Sequence, residues 1–217
     1  MPRESAADKT ARLAKIIVLL KKQYPDARTA LNFSNPLELL VATILSAQTT
    51  DKGVNVVTQT LFKKYRTAAD YAAADPAVFQ QEIKPTGFYR NKAKSVLSMA
   101  RQLLEQFGGK VPDTMEDLIA LSGVARKTAN VVLGNAFGKN EGIAVDRHVA
   151  RLAGRLGLSA HDKPERIEQD LMAMVPRPTW TLFTHLLIDH GRAICTARKP
   201  NCAGCPLNKL CPSAFKV

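Results

Sequence analysis

The residues with the most chemical potential in this 217-residue chain are its four cysteines, Cys195, Cys202, Cys205 and Cys211, spaced C-x6-C-x2-C-x5-C near the C-terminal end. No cysteine precedes them, so the thiols serve one local purpose. Two disulfides would need an oxidising compartment, and Met1-Pro2-Arg3-Glu4-Ser5 lacks the apolar core of a secretory signal. A structural zinc site usually draws on two short-spaced pairs, and only Cys202 and Cys205 form one. A cubane iron–sulfur cluster accepts four thiolates at uneven spacing, because its ligated irons sit at the corners of a larger object. The spacing therefore favours a cluster, with zinc as the alternative.

A second candidate is Lys127, in the segment Leu118-Ile-Ala-Leu-Ser-Gly-Val-Ala-Arg-Lys-Thr-Ala-Asn130. Gly123 marks a tight turn between two helical segments, the second starting at about Ala125. Free amides at such a start bind phosphate, and the small Ala125 and Ala129 allow close approach. An ordinary helical hairpin would explain the shape equally well. Lys127 is different: the positive end of the helix dipole disfavours its charge, and Arg126 adds to the effect. Both favour the free amine, which is the nucleophilic form. Asp146 opens another helix; it reads as an N-cap or as a carboxylate that moves a proton. His148 beside it is better explained as a structural or phosphate-facing residue than as a base.

Charge narrows the partner. There are 31 basic and 19 acidic residues, a formal +12, and the chain after Asp189 has no carboxylate side chain. Such an excess favours nucleic acid, although many basic proteins are merely soluble. The longest aliphatic run, Ile16–Leu20, is too short for a membrane span, so no membrane association is expected.

The elements that must position these residues read as helices. Leu37, Leu40, Val41, Ile44 and Leu45 follow helical spacing behind Asn35 and Pro36. Ala93, Val96, Leu97, Ala100, Leu104 and Phe107 repeat it up to Gly108-Gly109. Asp75-Pro76 opens another helix, and Thr114 with Asp117 resembles a capping box. Further stripes are Ala129, Val132, Leu133, Ala136 and Phe137, then Val145, Val149, Leu152 and Leu156, then Ile167, Leu171, Met174 and Val175. Trp180 reads as core. Period-two alternation is nearly absent, so the chain is all-α, with its most visible seam at 138–142.

Three segments taken together carry a resemblance. Leu121-Ser-Gly-Val-Ala-Arg-Lys-Thr-Ala-Asn-Val-Val132, Val145-Asp146-Arg-His148 and the cysteine tail are similar to the endonuclease III family. Leu45-Ser-Ala-Gln48-Thr-Thr-Asp51 and Ala197-Arg-Lys-Pro200 also fit, so the match runs from about residue 10 to 212. The family comprises DNA glycosylase/AP lyases of the helix-hairpin-helix superfamily. The resemblance implies a two-lobed all-α fold with DNA in the cleft between the lobes. A six-helix bundle lobe at 30–142 would carry the helix-hairpin-helix at about 114–137. Residues 1–29 and 143–217 would form the other lobe, with a [4Fe–4S] cluster in the loop 195–211.

The implied reaction is excision of oxidised or ring-saturated pyrimidines from duplex DNA, followed by β-elimination at the abasic site. Lys127 would attack C1′ and Asp146 would serve acid–base transfer. Gln48 would fill the gap left by the extruded nucleotide, and Phe88 stands where the family places a leucine wedge. Gly123, Ala125, Arg126, His148, Arg198 and Lys199 would meet the DNA. A cytoplasmic monomer, nucleoid-associated in a bacterium, is expected. Four positions depart from the family pattern: Ser122 replaces a proline, Ala125 a glycine, Arg147 a small hydroxyl residue and Phe88 the leucine. The methyl of Ala125 is expected to alter DNA affinity and leave the chemistry intact.

Two rivals differ in class. A monofunctional adenine glycosylase generally lacks a lysine at the position of Lys127, and its further C-terminal domain would not fit the six residues after Cys211. A non-catalytic iron–sulfur DNA-binding or redox protein would need neither Lys127 nor Asp146.

Overall fold

Apolar side chains recur at helical spacing through most of the chain. The computed structural model, which describes residues 4–217, turns these stripes into helices. Met1, Pro2 and Arg3, part of the N-terminus expected to carry no secretory signal, lie outside the described residues. In chain order the helices are α1 (Ala6–Gln23), α2 (Pro36–Leu45), α3 (Asp51–Lys64), α4 (Ala68–Ala72), α5 (Pro76–Ile83) and α6 (Tyr89–Phe107). They continue as α7 (Met115–Ala120), α8 (Arg126–Ala136), α9 (Arg147–Arg155), α10 (Pro164–Met172) and α11 (Trp180–Ala193). Short 3₁₀ turns precede α6 and α11, and no strand occurs among the described residues. The fold is all-α. It divides into two compact units, residues 29–141 and residues up to 28 together with 142–217.

In the unit 29–141, α2 is central. Asn35 caps it by accepting the Glu38 amide at 3.0 Å, and Pro36 takes the first helical position. The spacing marked one apolar stripe, yet Leu39 and Ala42 off that stripe are fully buried too. A helix apolar all round belongs inside, and α2 packs against α3, α6 and α8. Truncating a residue such as Leu40 to alanine would cost about 2–5 kcal/mol.

Helix α6 packs on α4 and α5, and Ala93, Val96, Leu97 and Ala100 are buried in the same core. Its buried row ends on Leu103, while Leu104 faces outward at 41% exposure, one residue from the position the spacing marks. Gly108 and Gly109 close the helix with φ of 58° and 81°. At α7 only half of the expected capping box forms. Thr114 accepts the Asp117 amide at 3.2 Å, and its hydroxyl donates to the Asp117 carboxylate at 2.7 Å. The complete reciprocal box belongs to Thr67 and Asp70 at α4.

In the other unit, α11 packs on both α1 and α9, and α10 packs on α9. Leu13, Ile16 and Leu20 of α1 join Val149, Leu152, Leu171, Phe183 and Leu187 in one core. Arg12 of α1 donates to the Leu156 carbonyl at 2.8 Å and to that of Leu210 at 3.1 Å. Trp180 is core, its indole N–H donating to the Val175 carbonyl at 2.8 Å. No helix among the described residues is long and apolar enough to cross a membrane.

Candidate functional site

Four residues, Leu121 to Val124, reverse the chain between α7 and α8. Two polar side chains of α6 hold this turn. The Ser122 amide donates to Gln102 Oε1 at 2.7 Å, and the Ser122 and Ser98 hydroxyls lie 2.9 Å apart. A proline at 122 could not donate that amide bond. Gly123 is demanded twice, by a φ of 79° and by crowding, since an added Cβ would lie 2.6 Å from Ser95 Cβ. Ala125, at φ −91°, is ordinary extended backbone and needs no glycine.

The start of α8 is chemically bare. Ala125 holds the N-cap position without an acceptor side chain, so no side chain closes the helix end. Gly123, Ala125, Arg126 and Lys127 are all exposed there. Lys127 occupies the second helical position, and the helix end beside it presents its dipole and amides outward.

The start of α9 is the opposite case. Asp146 caps it, accepting the amides of His148 and Val149, both at 2.8 Å and both through Oδ1. Oδ2 has no hydrogen-bond partner among the described residues. His148 is half-buried, and Arg151 approaches its Nδ1 at 3.2 Å. Because the guanidinium can only donate, Nδ1 is the acceptor and the ring is neutral. Burial lowers the His148 pKa, Asp146 opposes this, and Arg151, Arg147 and Arg192 reinforce it. With Nδ1 accepting, Nε2 carries the proton, so neither ring nitrogen is free to act as a general base. Lys127 belongs to the unit 29–141 and Asp146 to the other.

Gln48 and Phe88 sit at two loop tips. Both are exposed, and both hold positive φ without being glycine, at 55° and 47°. The Thr49 hydroxyl donates to the Thr86 carbonyl, so the two loops touch.

The four cysteines line one cavity together with Leu152, Leu156, Ile194, Leu207 and His190. Residues 195–217 form turns but no helix, so this tail has little backbone structure to hold it. Donors converge on the sulfurs: Arg155 on Cys195 at 3.3 Å, and the Leu207 amide and His190 Nε2 on Cys205, each at 3.4 Å. Burial pushes the Cys205 and Cys211 thiols up, a cost that coordination to iron offsets. Four thiols around one mostly apolar cavity, with N–H donors aimed at the sulfurs, fit an iron–sulfur cluster.

His190 extends the arrangement. Burial brings its pKa down to about 4, so the ring is neutral, and Nδ1 lies 3.0 Å from the Tyr24 hydroxyl. A thiolate at Cys205 carries no proton, so Nε2–H must be the donor to it and Tyr24 the donor to Nδ1. The basic tip is shaped from α9. Arg155 donates to the carbonyls of Thr196 at 2.7 Å and Ala197 at 2.9 Å, and Arg151 to that of Cys195 at 3.0 Å. Arg198 and Lys199 stand exposed between these anchors and Cys202.

Sequence reasoning missed Arg151, Arg155 and Tyr24, and it placed His190 near the cysteines without giving it a role. The two arginines are four apart on α9 and so share a face, a signal that was available. Their acceptors lie forty or more residues on, which spacing does not reveal.

Comparison with known proteins agrees with this geometry. Residues 41–177 match the HhH-GPD superfamily of base excision DNA repair proteins, and residues 195–211 match the iron–sulfur binding domain of endonuclease III. The chain is 51% identical to endonuclease III of Synechocystis, covering 96% of this chain and 95% of that one. It is 48% identical to endonuclease III of Bacillus subtilis, covering 89% and 88%. Among solved structures, a trapped covalent intermediate of endonuclease III with DNA superposes with a TM-score of 0.91 at 41% identity, over 95% of this chain and 97% of that one. The chain belongs to the endonuclease III family of the HhH-GPD superfamily, DNA glycosylases with AP lyase activity that carry a [4Fe–4S] cluster.

Proposed function

We propose that Lys127 is the nucleophile with which this enzyme removes oxidised or ring-saturated pyrimidines from duplex DNA and cuts the resulting abasic site, with Asp146 as its acid–base partner. The observation that carries the assignment is the start of α8: an exposed lysine behind a glycine turn, at a helix end that no side chain closes. Backbone amides at such an end bind a DNA phosphate through hydrogen bonds and the helix dipole. The damaged nucleotide must first leave the stack, which is cheaper for bases that stack and pair poorly.

The free amine of Lys127 attacks C1′, the glycosidic C1′–N bond breaks, and the base leaves with the electron pair and takes a proton from water. The Asp146 side chain stabilises positive charge developing on the sugar and accepts a proton from the attacking nitrogen, which passes to O4′ as the sugar opens. The open Oδ2 suits this task, because Oδ1 is already occupied by the helix cap. Opening of the sugar gives an imine between Nζ and C1′. The imine acidifies C2′–H, and loss of that proton expels the 3′ phosphate. Gln48 and Phe88 fill the vacated position in the stack. Arg198 and Lys199, with the amides at the start of α8, hold the phosphates. The cluster holds the tail that presents Arg198 and Lys199, and the enzyme works as a monomer in the cytoplasm, beside the nucleoid.

Borohydride reduction tests the assignment. The wild-type enzyme should become covalently joined to abasic duplex DNA, and Lys127→Ala should form no adduct while keeping its fold and its cluster absorption. A Lys127→Ala protein that still cross-links and cuts would place the nucleophile elsewhere.

A further inference from the structure

Lys92 is a charge in an unusual place. It lies on the buried face of α6, next to Ala93 and four residues before Val96, and only 5% of it is exposed. No carboxylate among the described residues meets it. Its ammonium donates instead to the Leu45 carbonyl at 2.7 Å, the Thr86 carbonyl at 2.7 Å and the Thr49 hydroxyl at 3.0 Å. All three protons are therefore used, and burial lowers the ammonium pKa without bringing it a counter-charge. The Leu45 carbonyl is at the C-terminal end of α2 and that of Thr86 ends the 3₁₀ turn, places where a cation is favoured.

The choice of acceptors is informative. Leu45 and Thr49 flank Gln48, and Thr86 lies two residues before Phe88. Gln48 and Phe88 are two of the three described non-glycine residues with positive φ, and Phe88 is aromatic, for which that conformation is a genuine outlier. Phe88 is also 64% exposed, so its own packing does not hold it there. Strained backbone persists only where its surroundings over-determine it. Here one buried ammonium and the Thr49–Thr86 bond brace both turns.

We propose that Lys92 is a positioning residue that holds Gln48 and Phe88 together in their strained, outward conformations, ready to enter the DNA stack. The proposal rests on the reading of those two residues as stack-filling. Lys92 touches no DNA itself. Its effect should therefore appear only where a stack has to be opened and filled.

The test compares cleavage of one abasic oligonucleotide as a duplex and as a single strand, with 2-aminopurine beside the site reporting unstacking. Lys92→Met keeps the length and removes the donors. It should lose on the order of tenfold in kcat/KM on the duplex, mostly through KM, and almost nothing on the single strand. Its 2-aminopurine signal should fall in step. Equal losses on both DNA forms would mean a general folding role and would overturn the proposal. Thr49→Val, a milder change, should give a smaller loss with the same duplex selectivity, and it carries the test if Lys92→Met folds poorly. Gln48→Ala and Phe88→Ala separate the two levels of argument. If they leave duplex unstacking intact, the stack-filling reading fails and takes this proposal with it. If they impair unstacking while Lys92→Met and Thr49→Val do not, only the role of Lys92 is refuted.

Discussion

The first turns of α8 and α9 make an instructive pair. Each follows an extended residue and begins with a basic side chain, Arg126 or Arg147. They differ in the cap. At α8 the cap residue is Ala125, which has no acceptor, whereas at α9 Asp146 accepts two amides through one oxygen. An N-cap of Asp, Asn or Ser is worth about 1 kcal/mol over alanine, so α8 forgoes stability that α9 keeps. What α8 gains is an end open to an anion. What α9 gains is a carboxylate held in one orientation with an oxygen to spare.

Asp146 offers the sharpest way to break this contrast, because its two jobs can be separated. Asparagine caps as well as aspartate but carries no charge. Asp146→Asn should therefore unfold like the wild type, within about 0.5 kcal/mol, while single-turnover base excision falls roughly 10²–10⁴-fold. Asp146→Ala should show the same catalytic loss and about 1 kcal/mol less stability in denaturant unfolding. An active Asp146→Asn enzyme would reduce Asp146 to a cap.

The support beneath α9 responds to acid. His185 lies on α11, which packs on α9, and burial brings its pKa down to about 4, with Arg192 lowering it further and Asp146 opposing. The unfolded chain binds a proton near pH 6.5 and the folded one only near 4. Stability is thus intact above about 6.5 and declines as pH falls toward 4, by on the order of 2–3 kcal/mol. Urea titrations at pH 7, 5.5 and 4.5 should show that fall, and His185→Gln should reduce its slope while leaving the similar contribution of buried His190. An equal slope in the variant would assign the acid sensitivity elsewhere.

The smallest effect sharpens the other side. Ala125→Ser places an acceptor at the bare start of α8. It should raise stability by up to about 1 kcal/mol and weaken binding to a non-cleavable abasic analogue a few-fold, because the hydroxyl competes with phosphate for the amides. Unchanged affinity would argue that the amides at the start of α8 do not hold a phosphate.

Some of this was legible without coordinates. Asn35-Pro36, Asp75-Pro76 and Gly108-Gly109 mark helix ends through local backbone chemistry, and each bounds a helix in the structure. The cysteine spacing pointed to the cluster because ligand geometry constrains it directly. Gly123 was legible as a turn, but the crowding against Ser95 that also excludes a side chain comes from another helix. The Thr114 box was half wrong in detail, because the Asp117 carboxylate bonds the hydroxyl in place of the amide.

What sequence alone determined was local or compositional: helix type and ends, the basic balance, the thiol set, and a lysine in the first turn of a helix. Tertiary structure decided which distant groups meet. Lys92 finds Leu45 and Thr49 more than forty residues away, and Arg155 finds Thr196 and Ala197 across a similar gap. Local propensity and spacing act over one or two turns, whereas a buried cation or a bare sulfur is satisfied by whichever carbonyl, hydroxyl or N–H the packed helices bring to it.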